Sequence, residues 1–209
     1  MGGEPAIDEV DLLRAHEYHL LALLLGRTPN AELLARLAGL EGDASPLGQA
    51  HAALAQAAAA SDPAALEREF FDLFIGIGRG ELIPYASYYL TGFLHERPLA
   101  GVREDMAALG IERAEHVHDP EDHLAILCEI MAGLASGRFD AGPAAGRQFF
   151  CRHLEPWAER FFRDLEQAAS TPFYRSVGRV GRLFMAIEAR AFAMDAEDVS
   201  TGAELRPAG

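Results

Sequence analysis

The stretch FFDLFIGIGRGELIPYASYY, residues 70–89, places Gly76, Gly78 and Gly80 within five positions, between a run of apolar residues and Pro84. After a strand, such a run would cradle a phosphate and make the chain an α/β nucleotide binder. After a helix, it is a chain break in an all-α protein. Glu81 stands where a dinucleotide fingerprint needs its third glycine, and a phosphate loop ending in Gly-Lys has no candidate because the chain contains no lysine. SDPAALEREFFDLF leads into the glycines with Asp62 as helix N-cap and Pro63 at the first helical position. The stretch therefore reads as a helix ended by Gly76 in a left-handed cap, with Gly78 easing a tight loop. Phe70, Leu73 and Phe74 crowd the same twenty residues as Tyr85, Tyr88 and Tyr89. Most of these rings belong in a core, whereas Pro84, Tyr85 and Ser87 fall in the irregular part and are expected to be exposed.

Helical spacing extends in both directions from this break. Apolar residues recur through 8–26, PNAELLARLAGL and HAALAQAAAA are good helix formers, and RPLAGVREDMAALG stops at Gly110. DPEDHLAILCEIMAGLASG reads as an amphipathic helix with Asp119 as cap, Pro120 at the first position, Glu121 and Asp122 at the positive end of the dipole, and Gly137 as its stop. Pro156 divides RQFFCRHLEPWAERFFRDLEQA into two helices or kinks one. TPFYRSVGRVGRLFMAIEARAFAMD is the last long helix. No alternating run is long enough to anchor a sheet. The expected fold is all-α, a single multi-helix domain over 1–209. Two helical lobes, about 8–115 and about 119–195, join at a hinge, and 196–209 forms a polar tail.

The 209 residues carry 32 acidic against 18 basic groups, a formal charge of −14. That balance disfavours nucleic acid and anionic membrane surfaces and favours a cationic partner. Cys128 and Cys151 are far apart among apolar neighbours and read as buried packing residues. MGGEPAIDEV lacks the basic start of a secretory signal, and no apolar run is long enough to span a bilayer. A cytoplasmic protein without stable membrane insertion is expected.

HVHDPEDH, residues 116–123, gathers His116, His118, Asp119 and His123. A metal-dependent helical enzyme built on that cluster is one alternative, although no H-E-x-x-H completes it. A nucleotide-binding regulator using the glycine loop is another. Capping alone accounts for the acids but not for His123, which beside Asp122 makes a hydrogen-bonding pair suited to a ligand.

Three motifs in fixed order carry a family likeness. They are Phe70-x-x-Leu73-Phe74-x-Gly76 with Pro84-Tyr85-x-Ser87-x-Tyr89; Asp119-Pro120-Glu121-Asp122-His123 before Leu124, Glu129 and Met131; and Phe149 with His153-Leu154-x-Pro156-Trp157 and Phe161. Over roughly residues 10–190 the sequence resembles the TorD/DmsD/NarJ-like cytoplasmic chaperones of molybdoenzyme maturation. The resemblance implies an all-α protein that is not an enzyme and needs no cofactor. Such a protein binds the twin-arginine leader of a molybdopterin oxidoreductase catalytic subunit, or the subunit itself, and delays export until the cofactor is inserted. It would act as a monomer or homodimer. Carried over by residue, the peptide-binding groove involves Phe70, Leu73, Phe74, Pro84, Tyr85, Ser87 and Tyr88, and the polar pair is Asp122 and His123. Asp119 stands where the family has Glu, which preserves a helix cap.

Overall fold

The computed structural model describes residues 8–115, 117–142, 144–168 and 171–204, with side chains as far as residue 194. The helices are α1 (Glu9–Gly26), α2 (Ala31–Leu37), α3 (Pro46–Ala60), α4 (Pro63–Phe70), α5 (Ala86–Thr91), α6 (Arg97–Ala108), α7 (Leu124–Ala135), α8 (Ala145–His153), α9 (Ala158–Ala168) and α10 (Pro172–Glu204). A single π-helical turn, Phe71–Ile75, prolongs α4. Among the described residues there is no strand; the one isolated β-bridge pairs Tyr85 with His123. The all-α expectation holds. Pro156 does separate two helices, and α10 runs to Glu204, into the segment expected as a tail.

Side-chain caps start the early helices. Asp8, Asn30, Ser45 and Asp62 each accept a backbone N–H from the first turn of the helix that follows. Each such cap contributes about 1 kcal/mol by satisfying a donor that the helix cannot.

One core takes side chains from both sides of the expected hinge, from Tyr18 and Leu24 through Leu54 and Phe70 to Leu127, Trp157, Phe161 and Phe184. The longest seams run α1 on α7, α10 on α9 and α10 on α3, so the two expected lobes interleave. The α9–α10 crossing is close because α10 offers glycines there. A Cβ on Gly178 would lie 2.5 Å from the Glu166 nitrogen, and one on Gly181 would enter the Phe162 ring. Across the α1–α10 seam, Glu188 is fully buried and compensated. It accepts Arg14 Nε at 2.9 Å and Nη2 at 2.9 Å, and the Tyr18 hydroxyl at 2.8 Å. A buried carboxylate without such partners would cost several kcal/mol. The third motif is also core: Phe149, His153, Leu154, Trp157 and Phe161 are buried, and His153 meets Asp105 of α6 at 2.6 Å.

Candidate peptide-binding site

The glycine loop belongs to a helix end, as its residues imply, but its geometry differs from a left-handed cap. Gly76 has φ 62° and ψ 173°, an extended mirror-image conformation open essentially to glycine alone. Its N–H reaches the Phe71 carbonyl at 2.7 Å, five residues back, which is the π-turn bond. Beyond the loop, Glu81 and Leu82 donate to the carbonyls of Asp72 and Leu73 at 3.1 and 2.8 Å, so the chain folds back on the turn. The next helix starts only at Ala86, so no helix N-terminus follows the glycines to hold a phosphate.

The turn sorts its apolar residues differently from the groove expected. Phe70 and Leu73 are buried and Phe74 is half-buried, with Phe70, Phe74, Phe161 and Tyr174 in ring contact. The exposed apolar residues are Phe71, Ile75 and above all Ile77, 99% exposed at the loop tip. Pro84 and Ser87, expected at the surface, are buried, while Tyr85 and Tyr88 are half-buried.

The burial of Ser87 has a direct cause. The two motifs pair through the backbone: Ala86 donates to the Asp122 carbonyl at 3.0 Å and Leu124 to the Pro84 carbonyl at 2.8 Å. This bridge draws Asp122 under the start of α5, where its Oδ2 accepts the Ser87 N–H at 2.8 Å and the Ser87 hydroxyl. Asp122 is 1% exposed, and its Oδ1 has no hydrogen-bond partner among the described residues. Asp122 thus caps α5 and joins the motifs; it does not present a carboxylate to solvent.

The bridge also moves the start of α7. His123 is held extended (φ −65°, ψ 133°), and its N–H closes a turn onto the Pro120 carbonyl at 3.0 Å. The helix therefore begins at Leu124, with His123 rather than Asp119 as cap, and Pro120 lies in the turn before it. His123 Nδ1 accepts the Ala125 N–H at 3.1 Å. Burial pushes the His123 pKa down to about 4, with Asp119 and Asp122 only partly opposing it. The ring is neutral at pH 7 with its proton on Nε2.

Asp119, freed from capping, is exposed. Its Oδ1 accepts the Tyr85 hydroxyl at 2.7 Å, and the Tyr85 ring meets His123 edge to face at 4.8 Å. Burial and the neighbouring Asp119 push the Tyr85 hydroxyl well above its usual range, so it remains a donor. Glu121 accepts Arg103 Nε at 2.8 Å and lies 3.6 Å from Arg113 Nε. Burial disfavours its charge, but its own N–H, Arg103 and Arg113 together hold its pKa below the usual carboxylate range.

Asp119 and His123 both line a cleft of about 720 Å³ between α1, α7 and the 111–119 segment. Leu23, Ile111, Ile126, Ile130 and Phe139 give it apolar walls, and three arginines and three carboxylates line it: Arg27, Arg113, Arg138, Glu112, Asp119 and Glu129. Its volume is in the range of ligand pockets, and its lining mixes apolar with charged groups. Sequence reasoning missed this cleft because no motif marks its walls, which come from three separate stretches of chain. His118 also lines it; His116 lies outside the described residues. Among the described residues no group of three His, Cys, Asp or Glu could hold a metal ion, and no helix is long and apolar enough to cross a membrane.

Comparison with known proteins agrees with these motifs. The family model described as nitrate reductase delta subunit matches residues 40–163. The chaperone protein TorD of Vibrio cholerae serotype O1 is 30% identical over 129 residues, 57% of this chain and 59% of the relative. TorD of Aliivibrio fischeri is 26% identical over 138 residues, 61% of this chain and 64% of the relative. The match to the Vibrio cholerae protein thus spans about 59% of that relative's length. A crystal structure of an Archaeoglobus fulgidus protein named for redox enzyme maturation superposes with a TM-score of 0.57, covering 83% of this chain and 94% of that one at 19% identity, which supports the fold. The family match covers more than half of the sequence and contains both bridged motifs, and the chain belongs to the nitrate reductase delta subunit family, which includes the TorD and NarJ chaperones.

Proposed function

We propose that this protein is a redox-enzyme maturation chaperone that holds the twin-arginine leader of a molybdopterin oxidoreductase catalytic subunit in the cleft between α1 and α7. It is a binding protein and not a catalyst, and it delays export in the cytoplasm until the subunit has its cofactor. One observation carries the reading: an exposed carboxylate, Asp119, and a neutral histidine, His123, held by its bridge to Tyr85, line one cleft together with apolar side chains. A twin-arginine leader has the matching parts, arginines and an apolar segment. The TorD relatives bear the name of chaperones, which supports the same role.

The physical division of labour follows from the geometry. The apolar segment, lying on Leu23, Ile126, Ile130 and Phe139, supplies most of the affinity at about 25 cal/mol per Å² buried. The Oδ2 of Asp119, which Tyr85 does not use, accepts a guanidinium N–H, and the net acidic surface steers the encounter. Pro84, Ser87 and Asp122 hold the bridge together, whereas Phe70, Leu73 and Phe74 do not line the cleft and pack into the core, Phe70 and Phe74 against Tyr174. Tyr88 is half-buried one turn into α5.

Co-expression tests the role. A molybdopterin oxidoreductase catalytic subunit carrying its leader should co-purify with this chain, and the same subunit without its leader should co-purify far less. Equal recovery of both would remove the leader from the account.

A further inference from the structure

Glu121, its side chain 10% exposed, does not line the cleft but lines a neighbouring cavity that shares Ile111, Glu112 and Arg113 with it. The lining charges balance, three arginines against three carboxylates. Two of the lining groups are already paired with each other, since Arg138 donates to the Glu129 carbonyl at 3.0 Å and its Nη2 lies 4.0 Å from the Glu129 carboxylate. Arg113 differs from the other two arginines. Its Nη1 reaches the Asp119 carbonyl at 3.3 Å, beside the carboxylate proposed to meet a guanidinium. Unopposed, it would repel an arginine at that position. Glu121 lies 3.6 Å from its Nε and also takes Arg103 of α6 at 2.8 Å.

We infer that Glu121 is a specificity-determining positioning residue: shared between Arg103 and Arg113, it holds Arg113 and offsets part of its charge, which keeps the surroundings of Asp119 favourable to a basic segment. The inference rests on the leader reading above. Glu121 touches no ligand and acts through Arg113. A nearby unit charge with partial solvent access changes the affinity of a charged ligand by about fivefold at low ionic strength, and salt screens that effect.

The test titrates the full chain with two synthetic peptides, a twin-arginine leader and the same leader with both arginines replaced by glutamine. Glu121→Gln should weaken the arginine peptide by about fivefold at low salt and much less at high salt. It should leave the glutamine peptide within about twofold. Adding Arg113→Gln in the same chain should restore the arginine peptide, and Arg113→Gln alone should bind it at least as well as the unaltered chain. That single variant decides the matter if Glu121→Gln does not fold. Equal loss for both peptides, or no recovery on removing Arg113, overturns the inference and leaves the leader reading standing. An unaltered chain that binds neither peptide overturns both.

Discussion

Asp122 and His123 were expected to meet a ligand together, and the fold gives them different work. Asp122 supplies the acceptor for both the N–H and the hydroxyl of Ser87. In Asp122→Ala those two buried donors lose it, which should lower stability by about 1–3 kcal/mol in urea unfolding. An unchanged midpoint would show that the capping is weak. Loss of peptide binding in that variant therefore reports the fold of the site and not a direct contact. His123 is the site's pH-sensitive group. Its folded pKa, about 4, lies below the ordinary 6.5, so on acidification the unfolded chain takes up the proton first. The stability it contributes is complete above pH 6.5 and is lost as pH falls toward 4, by at most about 3 kcal/mol. His153, its pKa lowered by burial, acts in the same sense. His51, raised by its bond to Glu17, acts in the opposite sense, its contribution lost as pH rises through its folded pKa. Replacing His123 with Asn, which can still cap α7, should flatten the stability profile between pH 6.5 and 4. An unaltered slope would place the titration elsewhere.

At the scale of elements, the glycine loop shows how local geometry decides tolerance. An alanine at position 76 would adopt a backbone conformation nearly restricted to glycine, and its Cβ would lie 2.5 Å from the Arg79 carbonyl carbon. Gly76→Ala should cost at least about 3 kcal/mol. Gly78, with φ 93° but open space around it, should cost about 1 kcal/mol as alanine. Paired chemical-denaturation curves check this, and equal costs would mean that the loop rearranges freely. Most helices and their stops were legible because apolar spacing, proline starts and glycine ends are local signals, but α5 was not, since Ala86–Thr91 falls in a stretch read as irregular. Nor was the start of α7. Asp119-Pro120 carries every mark of a cap, but the pairing of His123 with Tyr85, 38 residues away, holds the chain extended until Leu124. The same long-range bridge buries Ser87. Sequence periodicity shows neither effect, since both come from two irregular segments meeting in space.

For the whole molecule, the interleaving of α7 on α1 and of α10 on α3 puts the cleft against the core rather than between separate lobes. Its apolar walls come from α1, the 111–119 segment, α7 and Phe139 just beyond it, each of which reads in sequence as ordinary helix or linker. The motif residues that were legible, Asp119 and His123, are only two of the residues that line it. The acidic balance was legible throughout, and it gives the molecule a long-range preference for basic partners that salt should weaken. The most direct measurement is calorimetric titration of the full chain with a synthetic twin-arginine leader, alongside an Ile126→Arg chain whose new side chain puts a positive charge on an apolar wall of the cleft. The expected result is saturable one-to-one binding to the unaltered chain, weaker at higher salt, and at least tenfold weaker binding to Ile126→Arg with the fold intact. Binding of equal strength to both chains would contradict the cleft as the leader's site.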